Sequence, residues 1–309
     1  MVMQSSTFTY KSQDDKDIFV HKWVPSEGFP KAIMLVIHGL AEHGARYEEF
    51  AKFATLAGYV LYVPDLRGQG KTASGVSELG VLDSNGWNFV LNDLRILADR
   101  MKQDYPKLPF YLFGHSLGSE MAQDFMIRWG SELKAVVLSG PQSQQPLYIL
   151  LFGELLGKRE IKKLGPKAPS KTFYKLAWQK FNNAFQPMQT DFDWISTDAK
   201  EVKKYTDDNL CGWTPSTMFS TEITRGFKRI HKKANREMVP NDLPIFIIHG
   251  SKDSSNNFGK WVNIFVKKYT KLGKNIQLKV YEGKRHDLLH EVNREEVTKD
   301  IIQWCDSHL

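Results

Sequence analysis

Five short, continuously apolar segments, each followed by a helical pattern, constrain the fold of this chain more than any other feature. Runs of this length are typical of parallel strands buried on both faces of a sheet. Residues with helical apolar spacing fill the gaps between them. Strands that alternate with helices predict an α/β fold, with a mostly parallel sheet flanked by helices on both faces. The apolar runs are 31–39, 58–65, 109–114, 133–140 and 243–250, and 275–283 is a sixth, half-polar run. The predicted helices are 45–57, 87–105, 116–129, 258–272 and 294–309.

The alternation is interrupted once, between residues 142 and 240. This stretch contains proline and glycine breaks and helical pieces such as 171–185, but no buried-strand pattern. We interpret it as an inserted helical cap, or lid, with residues 1–141 and 241–309 forming the core. Ligands bind at the carboxyl ends of the strands in open α/β sheets, so the cap is expected to cover that end. Residues 6–24 predict an antiparallel hairpin at the sheet edge.

Composition limits the compartment and the class of protein. The hydrophobic fraction of 41% and the charged fraction of 25% are ordinary for a globular protein. The two cysteines, Cys211 and Cys305, are too few for a disulfide framework and have no metal-binding spacing. The N-terminus shows no signal-peptide pattern, and the longest apolar run, 146–157, is too short to span a bilayer. We therefore expect a cytoplasmic protein, with peripheral contact at a membrane left open.

The net charge of +7 is confined to the predicted cap. Residues 142–240 contain 17 basic and 10 acidic residues, which accounts for the whole excess. Such an excess attracts nucleic acid or an anionic membrane surface. No nucleic-acid-binding motif accompanies it, and the glycines of 65–72 are too close together for a phosphate-binding loop. The charge therefore favours peripheral contact with an anionic membrane through the cap over nucleic-acid binding.

Ser116 lies where the third apolar run meets the next helical pattern, in the motif Gly-His-Ser-Leu-Gly at 114–118. A serine in a sharp strand-to-helix turn is the nucleophile elbow of serine hydrolases. The small glycines on either side allow strand and helix to cross closely. The alternative is an ordinary serine that caps the helix N-terminus.

A serine nucleophile needs a base, and the base needs an acid to orient it. In this type of fold the order along the chain is Ser, Asp or Glu, His. Only two of the nine histidines, His286 and His290, lie in the loop after the last predicted strand, and we choose His286 because it comes first. His290 remains the alternative. Asp253, just beyond the run 243–250, is the predicted acid, with a turn-capping role as its alternative.

Two backbone N–H groups are predicted to form the oxyanion hole. One belongs to Leu117, directly after the nucleophile, and the other to Leu40, in the loop after the first long run. The alternative for the second position is a plain turn at the end of a strand.

Several motifs together resemble the monoacylglycerol lipase and bacterial lysophospholipase branch of the α/β-hydrolases. They are HGLAEHGARY, DLRGQG, GHSLGS, HGSKD and EGKRHDLLHEVNREEV, with DFDWISTDAKEVKKYTDDNLCG in the cap. The resemblance implies the α/β-hydrolase fold, with Ser116 as nucleophile, Asp253 as acid and His286 as base. Two positions depart from the pattern: Gln69 stands where the family commonly has histidine, and His290 is four residues after His286 rather than three.

The resemblance implies a serine carboxylic-ester hydrolase that cleaves a single-acyl lipid, a monoacylglycerol or a lysophospholipid, through an acyl-enzyme intermediate. No cofactor and no metal would be required. Three alternatives stay open: a carboxylesterase acting on small esters, a proline-type aminopeptidase, and a non-catalytic binding protein on the same scaffold. The acyl length, the head group and the oligomeric state are not predicted.

Overall fold

A single eight-stranded sheet organises the chain. The computed structural model describes residues 3–142 and 144–309. The strands are β1 (Met3–Lys11), β2 (Asp17–Pro25), β3 (Ala32–Ile37), β4 (Tyr59–Pro64), β5 (Phe110–His115), β6 (Ala135–Ser139), β7 (Ile245–Gly250) and β8 (Ile276–Tyr281). Their order across the sheet is β1-β2-β4-β3-β5-β6-β7-β8. The predicted edge hairpin is confirmed: β1 and β2 pair antiparallel, and all pairs from β4 to β8 are parallel.

Helices cover both faces of the sheet. They are α1 (Glu48–Leu56), α2 (Gly86–Asp104), α3 (Leu117–Trp129), α4 (Leu147–Leu164), α5 (Lys171–Tyr174), α6 (Lys180–Asn182), α7 (Ala199–Asp207), α8 (Thr217–Ile230), α9 (Lys233–Glu237), α10 (Lys260–Thr270) and α11 (Arg294–Asp306). A π-helical turn at Lys175–Gln179 joins α5 to α6. The five helices predicted in the core are confirmed, with ends within three residues of the expected ones.

The buried strands alternate their side chains between two apolar layers, as the pleat of a strand requires. On β3, Ile33, Leu35 and Ile37 belong to the layer that also contains residues of α2, α3, α8 and α10. Met34 and Val36 belong to the opposite layer, with residues of α1 and α11. Continuous apolar runs are therefore required because both faces of the sheet are covered.

The segment 142–240 contributes helices α4 to α9 and contains no strand among its described residues. The helix α8 packs along α4 and also contacts α2 and α3, so it is joined to the core layer rather than standing above it. A third apolar cluster, rich in aromatic side chains such as Trp178, Phe192 and Trp194, lies within the segment and reaches Ala41. The division into core and cap stays a prediction. In the described part of the chain, no helix has the length and apolarity needed to cross a bilayer.

Candidate active site

Ser116 occupies a sharp turn between β5 and α3. Its backbone has φ 51° and ψ −121°, a sparsely populated conformation that is costly for a residue with a side chain. Within the described residues, its side chain makes no hydrogen bond that caps α3, so the capping alternative is not supported. A β-carbon at Gly118 would lie 2.0 Å from the carbonyl oxygen of Ile37, and one at Gly114 would lie 2.4 Å from the carbonyl oxygen of Gly118. The two glycines are therefore required by the close crossing of helix and strands.

His286 and Asp253 form a buried hydrogen-bonded pair beside this turn. The Nδ1 atom of His286 lies 2.9 Å from Oδ2 of Asp253 and 3.0 Å from Oγ of Ser255. The other carboxylate oxygen of Asp253 accepts hydrogen bonds from the backbone N–H and the hydroxyl of Ser255, at 2.9 and 2.6 Å. Asp253 thus both caps the short turn that follows it and orients the imidazole of His286.

The electrostatics of the pair suit a general base. Burial opposes the charged form of Asp253, but the facing His286 ring and the Ser255 hydroxyl hold the pKa of this carboxyl below its ordinary value. Burial also disfavours a charged His286, yet the carboxylate of Asp253 raises the pKa of this ring above its ordinary value. A carboxylate that remains ionised beside an imidazole stabilises the imidazolium that forms when the ring takes a proton.

The free nitrogen of His286 faces a confined space. The ring packs between His115 and Trp194, with both pairs of ring centroids 4.9 Å apart. Among the described residues, Nε2 of His286 has no hydrogen-bond partner. This nitrogen is therefore available to a group that enters the site.

The loop after β3 lies directly against Ser116. A β-carbon at Gly39 would be 3.2 Å from Cβ of Ser116, and both Leu40 and Leu117 line the same pocket as Ser116. Side chains hold the loop in place: Gln69 Oε1 accepts the N–H of Ala41 at 2.9 Å, and Glu42 Oε1 accepts the N–H of Gly39 at 2.5 Å.

A buried charge network joins this loop to the loop that carries His286. Arg46 donates from Nε to Glu42 and from Nη2 to Asp287, both at 2.9 Å. Burial would raise the pKa of Asp287, but the neighbouring His290 and His115 rings hold it well below its ordinary value. His290 contributes to this network, with Nδ1 2.9 Å from Asp287 and Nε2 3.1 Å from the carbonyl oxygen of Arg46. The geometry therefore favours His286 over His290 as the base.

A pocket that is partly open to solvent extends outward from Ser116. Its walls come from α4, the 171–182 helical segment and α8, and they are mostly apolar. The lining includes Leu40, Leu117, Ile149, Leu150, Phe152, Gly153, Phe173, Leu176, Trp178, Phe181, Trp194, Ile223, Phe227 and Trp261. The site therefore combines a nucleophile-like serine with a channel suited to an apolar chain.

Comparison with known proteins identifies the family of the chain. A family model described as serine aminopeptidase, S33, matches residues 28–293. The chain belongs to this family. It is a serine hydrolase of the lipase and esterase kind, with the α/β-hydrolase fold.

Relatives of the hydrolase include two lipases. A monoacylglycerol lipase of Mycolicibacterium smegmatis is 27% identical over 294 residues, which cover 93% of this chain and 92% of the relative. A monoglyceride lipase of Homo sapiens is 26% identical over 302 residues, covering 94% of this chain and 85% of the relative. Among solved structures, a thermostable carboxyl esterase from Bacillus coagulans in complex with glycerol has a TM-score of 0.89, with 26% identity and 99% of each chain covered.

The structure places Ser116, Leu40 and Leu117 around one pocket and pairs Asp253 with His286, whose ring packs against His115, the neighbour of Ser116. Sequence reasoning missed the groups that support them. Gln69, noted only as a departure from the family pattern, holds the loop of Leu40. His115, the residue before Ser116, packs its ring against His286. Asp287 was adjacent to the predicted base, but its pairing with Arg46 spans 241 residues of sequence and has no local signal.

One cluster of metal-ligand types lies near the site. Donor atoms of His43, Asp208 and Cys211 lie within 4.8 Å of one another. Burial raises the pKa of the Cys211 thiol, which keeps it protonated, and the positive charge of Arg46 is close enough to interact with it. Both effects oppose a bound cation, and His43 already pairs with Asp208 at 2.9 Å.

Proposed function

We propose that this serine hydrolase cleaves the ester of a lipid with a single acyl chain, a monoacylglycerol or a lysophospholipid. The observation that carries the proposal is the apolar channel that leads from Ser116 between α4 and α8. A channel of this kind accepts one hydrocarbon chain and leaves the polar head group near the nucleophile. The lipases among the relatives support the same substrate class.

In the proposed reaction, Oγ of Ser116 attacks the ester carbonyl while Nε2 of His286 takes its proton. Asp253 keeps the ring oriented through Nδ1 and stabilises its positive charge. The N–H groups of Leu40 and Leu117 stabilise the oxyanion of the tetrahedral intermediate. His286 then protonates the leaving alcohol, which leaves an acyl-enzyme, and activates a water molecule that releases the fatty acid and restores Ser116.

The aminopeptidase alternative would need a carboxylate to bind the substrate amine. Glu160 lines the channel, but its oxygens already accept the hydroxyl of Ser170 at 2.5 Å and the N–H of Thr172 at 3.0 Å. An ester substrate is therefore favoured over a peptide.

The test is a substrate panel measured with the full chain and with Ser116→Ala. We expect the wild-type protein to hydrolyse monoacylglycerols or lysophospholipids faster than acetate or butyrate esters, and to be labelled by a fluorophosphonate. A preference for the smallest esters would favour a general carboxylesterase, and cleavage of aminoacyl amides alone would favour a peptidase. Failure to label, with no turnover of any ester, would indicate a binding protein.

We further propose that the outer face of α4 rests on an anionic membrane surface. Leu147, Tyr148, Leu151 and Leu155 on this helix are between 50% and 72% exposed, which is unusual for large apolar side chains. Eight basic residues and one acidic residue follow between positions 158 and 180. Apolar side chains beside lysines are typical of interfacial helices. In the alternative interpretation, the helix only lines the channel, as Ile149 and Leu150 do.

Co-sedimentation with vesicles separates the two interpretations. Lys162, Lys163, Lys167 and Lys171 are exposed, and each lysine near an anionic surface contributes about 1 kcal/mol, screened by salt. Changing all four to Gln should weaken binding to vesicles containing phosphatidylserine, and should leave hydrolysis of a soluble butyrate ester unchanged. Equal binding of both proteins, or binding that ignores salt, would leave only the channel-lining role.

A further inference from the structure

The channel beyond Ser116 follows one face of α4. Ile149, Gly153, Gly157 and Glu160 all line it, and they are three or four residues apart, so they form a single stripe along the helix. The opposite wall is α8, through Ser220, Ile223, Thr224 and Phe227. A hydrocarbon chain in the channel therefore passes these positions of α4 in order.

The two glycines on the stripe have different surroundings. A β-carbon at Gly157 would lie 2.3 Å from Oγ1 of Thr221, so α4 and α8 are in direct contact there. A β-carbon at Gly153 would lie 3.7 Å from Oγ1 of Thr224, which is ordinary contact with room beside it. The channel is therefore open at Gly153 because that residue has no side chain, and it narrows at Gly157.

The far end of the stripe is polar. Glu160 accepts hydrogen bonds from Ser170 and Thr172, and Ser170 is almost completely buried. A methylene group pushed against these groups would strip water from a carboxylate without offering it a hydrogen bond. Hydrocarbon is thus favourable along the stripe up to Glu160 and unfavourable in contact with it.

We propose that Gly153 and Glu160 set the acyl-chain length that the hydrolase accepts, with Gly153 keeping the channel open and Glu160 ending it. The proposal rests on the function proposed above and adds the substrate's size. Along the stripe from Ile149 to Glu160 the helix rises about 16 Å, which matches an extended chain of roughly a dozen carbons. Chains of medium length are therefore the preferred substrates, and longer chains gain nothing from their extra carbons.

The test measures binding in the Ser116→Ala protein, so that it does not depend on turnover. Trp178, Trp194 and Trp261 line the channel and make intrinsic fluorescence a suitable signal. Saturated 1-monoacylglycerols of increasing length serve as probes, each below its critical micelle concentration. Affinity should rise about fourfold for each added methylene and level off near twelve carbons. A continued rise through sixteen carbons, or no dependence on length, would overturn the proposal.

Two variants made in the Ser116→Ala background should change the chain length at which affinity levels off, in opposite directions. Gly153→Leu places a side chain in the channel and should move the levelling to chains at least four carbons shorter, while leaving binding of the shortest probe within twofold. Glu160→Leu makes the end of the channel apolar, so affinity should level off at longer chains. Arg159→Leu, at an exposed position of the same helix outside the channel, is the matched control and should change nothing.

Equal weakening of all chain lengths by Gly153→Leu would contradict the assignment. Hydrolysis of the same probes by the protein that retains Ser116 is measured separately. If affinity levels off near twelve carbons but no probe is hydrolysed, the proposed function is contradicted and the length limit is not. If the probes are hydrolysed but affinity does not level off, the length limit is contradicted and the proposed function is not.

Discussion

The carboxyl end of the sheet and helix α4 differ in which side chains they bury and which they expose. At the sheet end, polar groups are buried and paired with one another: Asp253 with His286, and Arg46 with both Glu42 and Asp287. On α4, large apolar side chains face solvent. Buried charge networks cost desolvation and are weak evidence of stability, whereas exposed apolar faces mark surfaces that meet another phase. The comparison assigns the proposed chemistry to the buried, paired groups at the sheet end, and the proposed size selection and presentation of the substrate to the segment that contains α4.

The largest expected effect comes from Ser116→Ala. Removal of the nucleophile of a triad lowers kcat by about a millionfold, and the loss should be the same for short and long esters. The folded state should be retained, since alanine is smaller and no hydrogen bond of the side chain caps α3. Circular dichroism and initial-rate assays check both points. Near-normal turnover in a folded variant would show that the nucleophile lies elsewhere.

Substitutions of His286 and Asp253 should lower kcat less than Ser116→Ala does, with His286 the more important of the two. His286→Ala is expected to cost nearly as much as Ser116→Ala. Asp253→Ala should lower kcat by about ten-thousandfold, because the carboxylate orients and stabilises rather than transfers protons. His290→Ala removes a member of the buried network but not the proposed base, so it should cost far less activity than His286→Ala. An inactive His290 variant beside an active His286 variant would reverse the choice of base.

Gln69→Ala tests whether the loop of Leu40 needs its support. Without the side-chain oxygen, the buried N–H of Ala41 loses its partner and the loop can move away from the oxyanion. We expect kcat to fall by about 10- to 100-fold with little change in KM, less than loss of an oxyanion donor itself. Gln103→Ala, at an exposed position on α2, is the control. A change in KM alone would assign Gln69 to substrate binding.

The pH profile should show one acid limb that is shared by all substrates. His286 must be neutral to accept a proton, and Asp253 raises its pKa above the ordinary value of about 6.5. The value of kcat/KM should therefore fall about tenfold per pH unit below a midpoint higher than 6.5. A midpoint below 6.5, or one that shifts with acyl length, would indicate that a different group controls the rate.

The smallest effects on the folded protein should come from the exposed face of α4. Replacing Leu151 and Leu155 with serine should change the free energy of unfolding by no more than about 0.5 kcal/mol per site, because both side chains are half-exposed. Hydrolysis of a soluble butyrate ester should be unchanged, while hydrolysis of a monoacylglycerol presented in vesicles should fall several-fold. If the variant and the wild-type protein have equal rates in both assays, the exposed face of α4 has no role in presenting the substrate.

Sequence reasoning succeeded where a local pattern has a local cause. The strands were predictable because both faces of the sheet are covered, so their runs are apolar throughout. Ser116 was predictable because its turn needs Gly114 and Gly118 at fixed positions. The supporting contacts were not, since Gln69 reaches Ala41 across 28 residues and Arg46 reaches Asp287 across 241. No spacing rule encodes such pairs, which depend on where the folded loops meet.

The segment 142–240 shows the same limit. Its helices could be expected from composition, but the attachment of α8 to α2 and α3 could not. That attachment depends on the whole buried face of α8, which includes Phe219, Ile223, Phe227 and Ile230. An amphipathic pattern indicates that a helix has an apolar face, but it does not indicate which surface that face packs against.

The long reach of Arg46 also bears on how the protein is made. During synthesis, Arg46 leaves the ribosome 241 residues before Asp287 does. Until Asp287 arrives, the guanidinium of Arg46 has only one of its two carboxylates, and Ser116 lacks the base proposed for it. A product that stops before residue 286 lacks both the ion pair that joins the two loops and the histidine proposed as the base. Under the proposed mechanism, hydrolytic competence therefore requires that synthesis has passed residue 287, however early the Ser116 turn is made.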